Sequence, residues 1–175
     1  MGLLICQIGY VAVFLHLISI PLAYVYAALC EWFIHKYILH GLGKKKNSWF
    51  SFHWHDHHKG CRKYAGMDLH YARKPRHKTI WKEIIGLSVL ALVHAPLFLV
   101  APVFYGSLLL LLVRYFYIHK KSHLNVGWAK QNVPWHWDHH MGKNQDANWG
   151  VTTDMWDLIM KTRIKHLEDL KNEEK

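Results

Sequence analysis

The chain has 175 residues, enough for one domain, and we expect a single domain over residues 1–175. Half of the residues (51%) are hydrophobic, yet the formal net charge is +10, so very apolar stretches alternate with basic, polar ones. The apolar stretches argue against a nucleic-acid-binding module and make anionic lipid headgroups the expected partner of the positive charge.

The first apolar stretch, residues 3–29, contains no charged residue and is long enough to cross a bilayer. We favour one long helix, kinked at Pro21, that continues past the membrane surface and carries His35 near its end. A tight hairpin at Ser19–Pro21 is the alternative. On the favoured interpretation the first span covers about residues 3–34.

The second apolar region, residues 84–118, is too long for one span. A single helix of this length would measure about 50 Å, against a hydrocarbon core of about 30 Å. Because Pro96 and Pro102 lie inside it, we predict two short spans that turn near Ala101–Pro102. The predicted fold class is therefore all-α: an integral membrane helical bundle of three to four spans.

The polar segments, residues 35–82 and 119–170, are predicted to form a histidine-rich helical cap on that bundle. Residues 41–82 carry eleven Lys and Arg but only two acidic residues, Asp56 and Asp68. Positive residues favour the cytoplasmic side, so we expect a multi-pass membrane protein with a cytoplasmic cap. The membrane would be the endoplasmic reticulum or a bacterial inner membrane.

Eleven of the sixteen histidines fall into four short motifs within the cap or at its edge. The motifs are His35 with His40; His53, His55, His57 and His58; His119 with His123; and His136, His139 and His140. Neutral imidazole suits iron, zinc, copper and nickel, and one metal takes about four to six ligands. So many clustered histidines predict two metal ions.

Helical spacing indicates which of these side chains share a face. In an α-helix, residues i, i+3 and i+4 lie on one side, which fits the last two motifs. The same rule places His53 over His57, whereas His35 and His40, five apart, are off-line but within reach. Glu31 lies one turn before His35, where it either accepts a hydrogen bond from that ligand or faces water. Cys6, Cys30 and Cys61 indicate packing, not a disulfide framework or a zinc motif.

Three sequence elements resemble those of the membrane-bound fatty acid hydroxylase (sterol desaturase-like) superfamily. They are Glu31-Trp-Phe-Ile-His35-Lys-Tyr-Ile-Leu-His40; His57-His58-Lys59 followed by Asp68; and Asn148-Trp149-Gly150 with Trp156-Asp157 and Thr162. The last element is nearest the fatty acid hydroxylases. The first is also similar to that of bacterial β-carotene hydroxylases.

The resemblance implies a di-iron, O₂-dependent hydroxylase that inserts oxygen into a C–H bond of a lipid, with a fatty acyl chain as the first expectation. Carotenoid or sterol hydroxylation, or desaturation, is the alternative. Zinc is expected to replace the two irons in some purified samples, and the electrons are expected from a separate electron-transfer protein. The implied ligands are His35, His40, His53, His57, His58, His119, His123, His136, His139 and His140, with His55 as the alternative to His53.

Other residues near these motifs have two interpretations each. Asp138, Asp154 and Asp157 either support ligand histidines or serve as caps and surface charges. Trp54, Trp135, Trp137 and Trp149 either line an acyl channel or anchor the protein at the membrane interface.

A non-catalytic membrane metal-binding or transport protein is the competing class. Transport favours ionisable residues deep within the spans, whereas most of these histidines lie at the membrane edge or outside it. A zinc metalloprotease is disfavoured because the chain contains no His-Glu-x-x-His motif.

Overall fold

The computed structural model describes residues 2–72 and 77–166, with side chains from residue 14 onward. Every regular element in these ranges is helical, which confirms the all-α prediction. The elements in chain order are α1 (Gly2–Phe33), π1 (Ile34–Leu42), π2 (His53–His58), α2 (Lys59–Lys63), α3 (Lys78–His94), α4 (Leu97–Val100), α5 (Pro102–Leu124), α6 (Val126–Asn132), α7 (Pro134–Met141) and α8 (Met155–Ile159).

The first apolar stretch forms one continuous helix. Pro21 lies inside α1 without ending it, so the hairpin alternative is wrong. Proline is tolerated in apolar, membrane-type helices, because neighbouring groups compensate for its missing hydrogen bond. The chain then continues directly into π1, and Phe14–Leu42 is long and apolar enough to cross a membrane.

The second apolar region is divided as expected near Ala101–Pro102. α3 ends at His94, the short helix α4 follows, and α5 begins with Pro102 at its first position, where its missing N–H costs nothing. α5 extends six residues past the predicted end at Ile118 and is the second helix long and apolar enough to span a membrane. The total number of spans stays a prediction.

α1 and α3 both pack against α5. Small buried side chains at Ala23 and Ala28 let α1 approach closely, and Leu108 of α5 is buried with them. Apolar residues on the outer surfaces, such as Leu99 (83% exposed) and Leu110 (73% exposed), are not covered by any other part of the chain that the structure describes. This distribution suits helices whose outer faces meet lipid.

The short helices form a cap at the end where α1 and α5 finish. π2 packs on π1 and α2, α6 packs on both α5 and α7, and α8 packs on α1. The side chain of Asn125 accepts a hydrogen bond from the Trp128 N–H and so caps α6. This arrangement brings all four histidine motifs to one place.

Candidate metal centre

All ten histidines predicted as ligands are buried, none with more than 4% of its surface exposed. Nine of them form two adjacent groups, and within each group one ring nitrogen per histidine lies within 4.8 Å of the others. The first cluster consists of His35, His40, His53, His58 and His139, and the second of His57, His119, His123 and His140. His136 joins the second group, with its Nε2 3.0 Å from Nε2 of His123. As ligands, these residues stay a prediction.

The first cluster depends on two π-helical segments. His35 and His40 lie in π1, and His53 and His58 lie in π2. A π-helix makes i→i+5 hydrogen bonds, so side chains five residues apart come onto one face. The prediction that His35 and His40 reach one site agrees with the structure, but they do so on one face of a π-helix and not off-line on an α-helix.

The same geometry corrects the interpretation of the second motif. An α-helix would place His53 over His57, but Nε2 of His53 lies 3.2 Å from that of His58 and 3.0 Å from that of His35. His57 and His58 consequently enter different clusters. His55 lies outside both, with its Nε2 3.1 Å from the backbone oxygen of Lys44, so the structure brings His53 and not His55 to the site.

The second cluster draws on π2, α5 and α7. His119 and His123 share one face of α5 at the α-helical i, i+4 spacing, as expected. The three histidines of α7 contribute to both clusters. His139 lies in the first cluster, and His136 and His140 lie with the second. α7 therefore lies between the two groups, and the His58 and His140 ring centroids are only 4.2 Å apart.

Backbone carbonyls fix the proton positions of two histidines in the first cluster. Nδ1 of His35 lies 2.6 Å from the Trp149 oxygen, and Nδ1 of His139 lies 2.7 Å from the Ala147 oxygen. A carbonyl only accepts hydrogen bonds, so each Nδ1 carries the proton and donates it. The Nε2 of each neutral ring then presents a lone pair to the cluster.

Carboxylates do the same in the second cluster. Asp68 accepts from Nδ1 of His57 at 2.7 Å, and Glu83 accepts from Nδ1 of His119 at 2.6 Å. The Tyr71 hydroxyl also donates to Glu83. Such partners fix the tautomer of a metal-ligating histidine, orient its ring and raise its basicity.

The spacing and the unpaired nitrogens fit bound metal. Within the first cluster, neighbouring Nε2 atoms lie 3.0–3.2 Å apart. Two nitrogens bound at about 2.1 Å from one metal and at a right angle would be separated by about 3.0 Å. In the second cluster, the Nε2 atoms of His57, His119 and His140 are buried without a hydrogen-bond partner among the described residues. Buried polar atoms are rarely left unpaired.

Burial lowers the pKa of the cap histidines, because a charged imidazolium is poorly solvated there. This holds for His53, His58, His136, His139 and His140, which are therefore neutral and able to bind metal. Burial also lowers the pKa of His57, although its hydrogen bond with Asp68 opposes the change. For Asp68, burial acts to raise the pKa, but the hydrogen bond and charge of His57 prevail and lower it.

The four acidic residues singled out in the sequence act mainly outside the two clusters. Glu31 accepts hydrogen bonds from the N–H groups of Val151 and Thr152, not from His35. Glu31 thereby fixes the position of the segment around Val151, which includes the Trp149 oxygen that accepts the hydrogen bond from His35. Asp138 and Asp154 each contact Arg163.

Asp157 connects the separate parts of the third family-like sequence element, Asn148-Trp149-Gly150 and Thr162, through hydrogen bonds. It is fully buried and accepts hydrogen bonds from the N–H groups of Trp149 and Gly150 and from the Thr162 hydroxyl. Asn148 adopts a left-handed conformation (φ 58°), which asparagine tolerates better than most residues. The resulting turn directs the Ala147 and Trp149 carbonyls at His139 and His35.

Several residues at the site escaped the sequence analysis. They are Glu83, Tyr71, Asp146, whose carboxylate lies 3.3 Å from Nδ1 of His40, and Gln145, whose amide nitrogen lies 2.9 Å from Nδ1 of His58. Cys61, interpreted from the sequence as a packing residue, also lies beside the site. The Cys61 sulfur lies 3.4 Å from Nδ1 of His123. One sequence feature could have indicated Glu83 as a site residue. It immediately precedes the second apolar region, much as Glu31 lies at the end of the first.

An apolar cavity of about 360 Å³ leads from the histidines into the helical bundle. It lies between α1, α3 and α5, and His35, His53, His57 and His119 line its cap end. Trp54, Trp135, Trp137 and Trp149 are not among the residues that line this cavity, so it does not support the acyl-channel interpretation of these side chains. Trp54 instead stacks on His58, and Trp149 lies against His40, with ring centroids 5.3 and 4.8 Å apart.

A sequence model of the fatty acid hydroxylase family matches residues 20–162, which covers most of the chain and all four histidine motifs. The chain belongs to the fatty acid hydroxylase family. No curated protein and no solved structure matches it. Membership confirms the superfamily resemblance. It also indicates a hydroxylase-type oxidoreductase that acts on lipid, and with the two long apolar helices it indicates a membrane protein.

Proposed function

We propose that this fatty acid hydroxylase is a di-iron, O₂-dependent enzyme that inserts oxygen into a C–H bond of a fatty acyl chain. One observation carries the proposal: two buried clusters of neutral imidazoles meet at the end of an apolar cavity within the helical bundle. Family membership supports the reaction class and the lipid substrate.

The ligand set fits two metal ions. The five histidines of the first cluster would hold one ion, and the second cluster with His136 would hold the other. Bound iron with O₂ supplies an oxidant for an unactivated C–H bond, which amino-acid side chains do not provide. Imidazole ligands also admit zinc, which is expected to replace iron in some preparations.

The protein contributes orientation and a dry environment. Carbonyl oxygens and carboxylates hold the imidazole protons on Nδ1, so the Nε2 lone pairs are directed at the metal positions. The cavity is lined largely by aliphatic and aromatic side chains such as Ile34, Leu108 and Leu112, which exclude water and suit an alkyl chain. Because these residues lie on helices, a bound alkyl chain would be held in a fixed position relative to the histidines.

We infer that the cap faces the cytoplasm and receives electrons from a separate electron-transfer protein. The eleven Lys and Arg of residues 41–82 support this orientation, in a membrane of the endoplasmic reticulum or a bacterial inner membrane.

A carotenoid or sterol hydroxylase or desaturase is the alternative within the same chemistry. A metal-binding or transport protein is disfavoured by the apolar lining of the cavity, since an ion pathway needs polar groups along its length.

Metal content and lipid products, measured on the same samples, test the proposal. The protein is expressed with added iron and purified in detergent, and its metal is counted per chain, while the host lipids are profiled by mass spectrometry. We expect about two irons per chain and a lipid that gains one oxygen atom. Both should be lost or reduced in His139→Ala and retained in His55→Ala, which removes a nearby imidazole outside the clusters. Metal with no new lipid product in a host that supplies electron donors would favour the metal-binding alternative.

A further inference from the structure

The cavity ends, on the side away from the histidine clusters, at a group of polar side chains. Tyr26 of α1, His94 of α3 and Tyr105 of α5 line this end, and we call them the end wall. Polar groups are costly in the apolar part of a membrane protein and usually have a function there. None of these three residues is among the predicted metal ligands, so metal binding does not explain their presence.

The end wall is held in a defined geometry. Nδ1 of His94 donates to the Leu90 oxygen at 2.8 Å, so its Nε2 is an acceptor. The Tyr26 hydroxyl donates to that Nε2 at 2.8 Å. The Tyr105 hydroxyl donates to the Ala91 oxygen at 3.2 Å. Each hydroxyl donor and each His94 ring nitrogen therefore has a partner within the protein.

The Tyr26–His94 hydrogen bond also connects α1 and α3 directly. α1 and α3 each pack on α5, and the cavity occupies the space between them. The Tyr26 ring contacts His94 edge-on and lies 5.9 Å from the Phe104 ring, centroid to centroid. The rings of Tyr26 and His94 thus lie side by side between α1 and α3, and Tyr26 keeps 38% of its surface exposed on the outer side.

Helix geometry gives the depth of the cavity. Tyr26 precedes His35 by nine residues and Tyr105 precedes His119 by fourteen. At about 1.5 Å per residue the end wall lies roughly 13–21 Å from the histidines. An extended alkyl chain advances about 1.25 Å per carbon, since its bonds are about 1.5 Å long. About 10–17 carbons would therefore fit between the reacting carbon and the end wall.

We propose that the hydrogen-bonded pair Tyr26–His94 is a specificity determinant that limits how long an alkyl chain can extend beyond the metal centre. The terminal methyl group of a chain of the limiting length meets the two rings. A longer chain would have to break their hydrogen bond and leave polar atoms unpaired in an apolar environment. The inference rests on the proposed function for its substrate class, but not on turnover.

Two substitutions with opposite effects test the proposal. Tyr26→Ala removes the ring and should extend the limit by about four carbons. Ala91→Leu adds bulk beside the end wall and should shorten it. Tyr117→Ala is the matched control, because Tyr117 is 61% exposed on α5 and does not line the cavity. If one variant fails to fold, the other still gives a result.

Binding is the first measurement. Purified protein in detergent is titrated with saturated fatty acids of increasing length, and affinity is measured by competition with a fluorescent fatty acid. Each additional buried methylene should raise affinity about fourfold until the limit, beyond which affinity stops rising. The limit should move to longer chains in Tyr26→Ala and to shorter chains in Ala91→Leu. An unchanged limit in folded Tyr26→Ala or Ala91→Leu overturns the proposal.

The length distribution of the oxygenated host lipids is the second measurement. Suppose that the wild type makes an oxygenated lipid and that both folded variants give the same length distribution. The proposed role of the end wall is then wrong, and the hydroxylase function stands. If no oxygenated lipid forms in a host that supplies electron donors, but the binding limit moves with the variants, the role of the end wall stands and the proposed function is wrong.

Discussion

The Nε2 atoms of His40 and His139 lie 3.1 Å apart, although both rings direct Nδ1 at acceptors, the Asp146 carboxylate and the Ala147 oxygen. With the protons on Nδ1, two lone pairs face each other at hydrogen-bond distance. Such an arrangement is repulsive for neutral rings and becomes favourable when a cation lies between them. The relationship between these two residues, 99 positions apart, is the clearest sign of a metal position in the first cluster.

The pair His53 and His55 provides a sharp test of the first ligand set. We expect His53→Ala to lose most of the metal of the first cluster, because one of its five imidazoles disappears. His55→Ala should keep the wild-type metal content, because that ring faces the Lys44 oxygen instead. Metal per chain is measured by elemental analysis of the purified variants. Equal loss in both variants would show that the ligand set is wrongly assigned.

The carboxylates behind His57 and His119 should tune metal affinity. Asp68→Asn and Glu83→Gln keep the side-chain shape but remove the negative charge that supports each Nδ1–H. We expect a loss of about 10- to 100-fold in metal affinity, measured by competition with a chelator. Asp56→Asn is the control, since Asp56 forms a surface ion pair with Lys78. A change as large in Asp56→Asn would point to a general charge effect.

Asp157 and Asp154 should differ strongly in their contribution to stability. Asp157→Ala leaves the N–H groups of Trp149 and Gly150 and the Thr162 hydroxyl without their acceptor. We expect a loss of about 2–4 kcal/mol in the free energy of unfolding, since buried unpaired donors cost about 1–3 kcal/mol each and relaxation recovers part of this. Asp154→Ala removes only a partly exposed contact at 3.4 Å and should cost less than about 1 kcal/mol.

Thermal unfolding in detergent, followed by circular dichroism, measures both aspartate variants. Similar unfolding temperatures for the two would contradict the role assigned to Asp157.

Gly66 is required by its conformation and by its neighbour. Its φ is +96°, and a Cβ there would lie 2.1 Å from the Trp137 ring. Its carbonyl accepts the hydrogen bond from Nδ1 of His123. Gly66→Ala should therefore lower the unfolding temperature and weaken metal binding, with a cost of more than about 1 kcal/mol from the backbone alone.

Gly106→Ala is the matched control for Gly66, since nothing lies within 4 Å of a Cβ at that position in α5. It should retain wild-type stability or gain slightly, because alanine favours helix more than glycine does. A Gly66→Ala protein with wild-type metal content and unfolding temperature would contradict the interpretation.

The sequence by itself indicated a histidine-rich metal site and an all-α fold. The density of histidines predicted a metal site, because few other roles need so many imidazoles, and the structure brings them into clusters that could hold metal. The length of the apolar runs predicted membrane-type helices, and two described helices are long and apolar enough to span a membrane. Pro96 and Pro102 also indicated the break between α3 and α5, because proline disrupts a helix locally.

Only the tertiary structure decided how the histidines divide. His57 and His58 are neighbours in sequence but enter different clusters. His53 groups with His58 because the π-helix brings residues five apart onto one face, whereas α-helical spacing would pair it with His57. The partners Glu83 and Asp146 lie 36 and 106 residues from the histidines they contact, His119 and His40, so no local pattern indicates them. The cavity and its end wall likewise arise from the packing of α1 and α3 on α5. Local spacing determines which side chains share a face once the helix type is known, whereas helix type, long-range partners and cavities follow from packing.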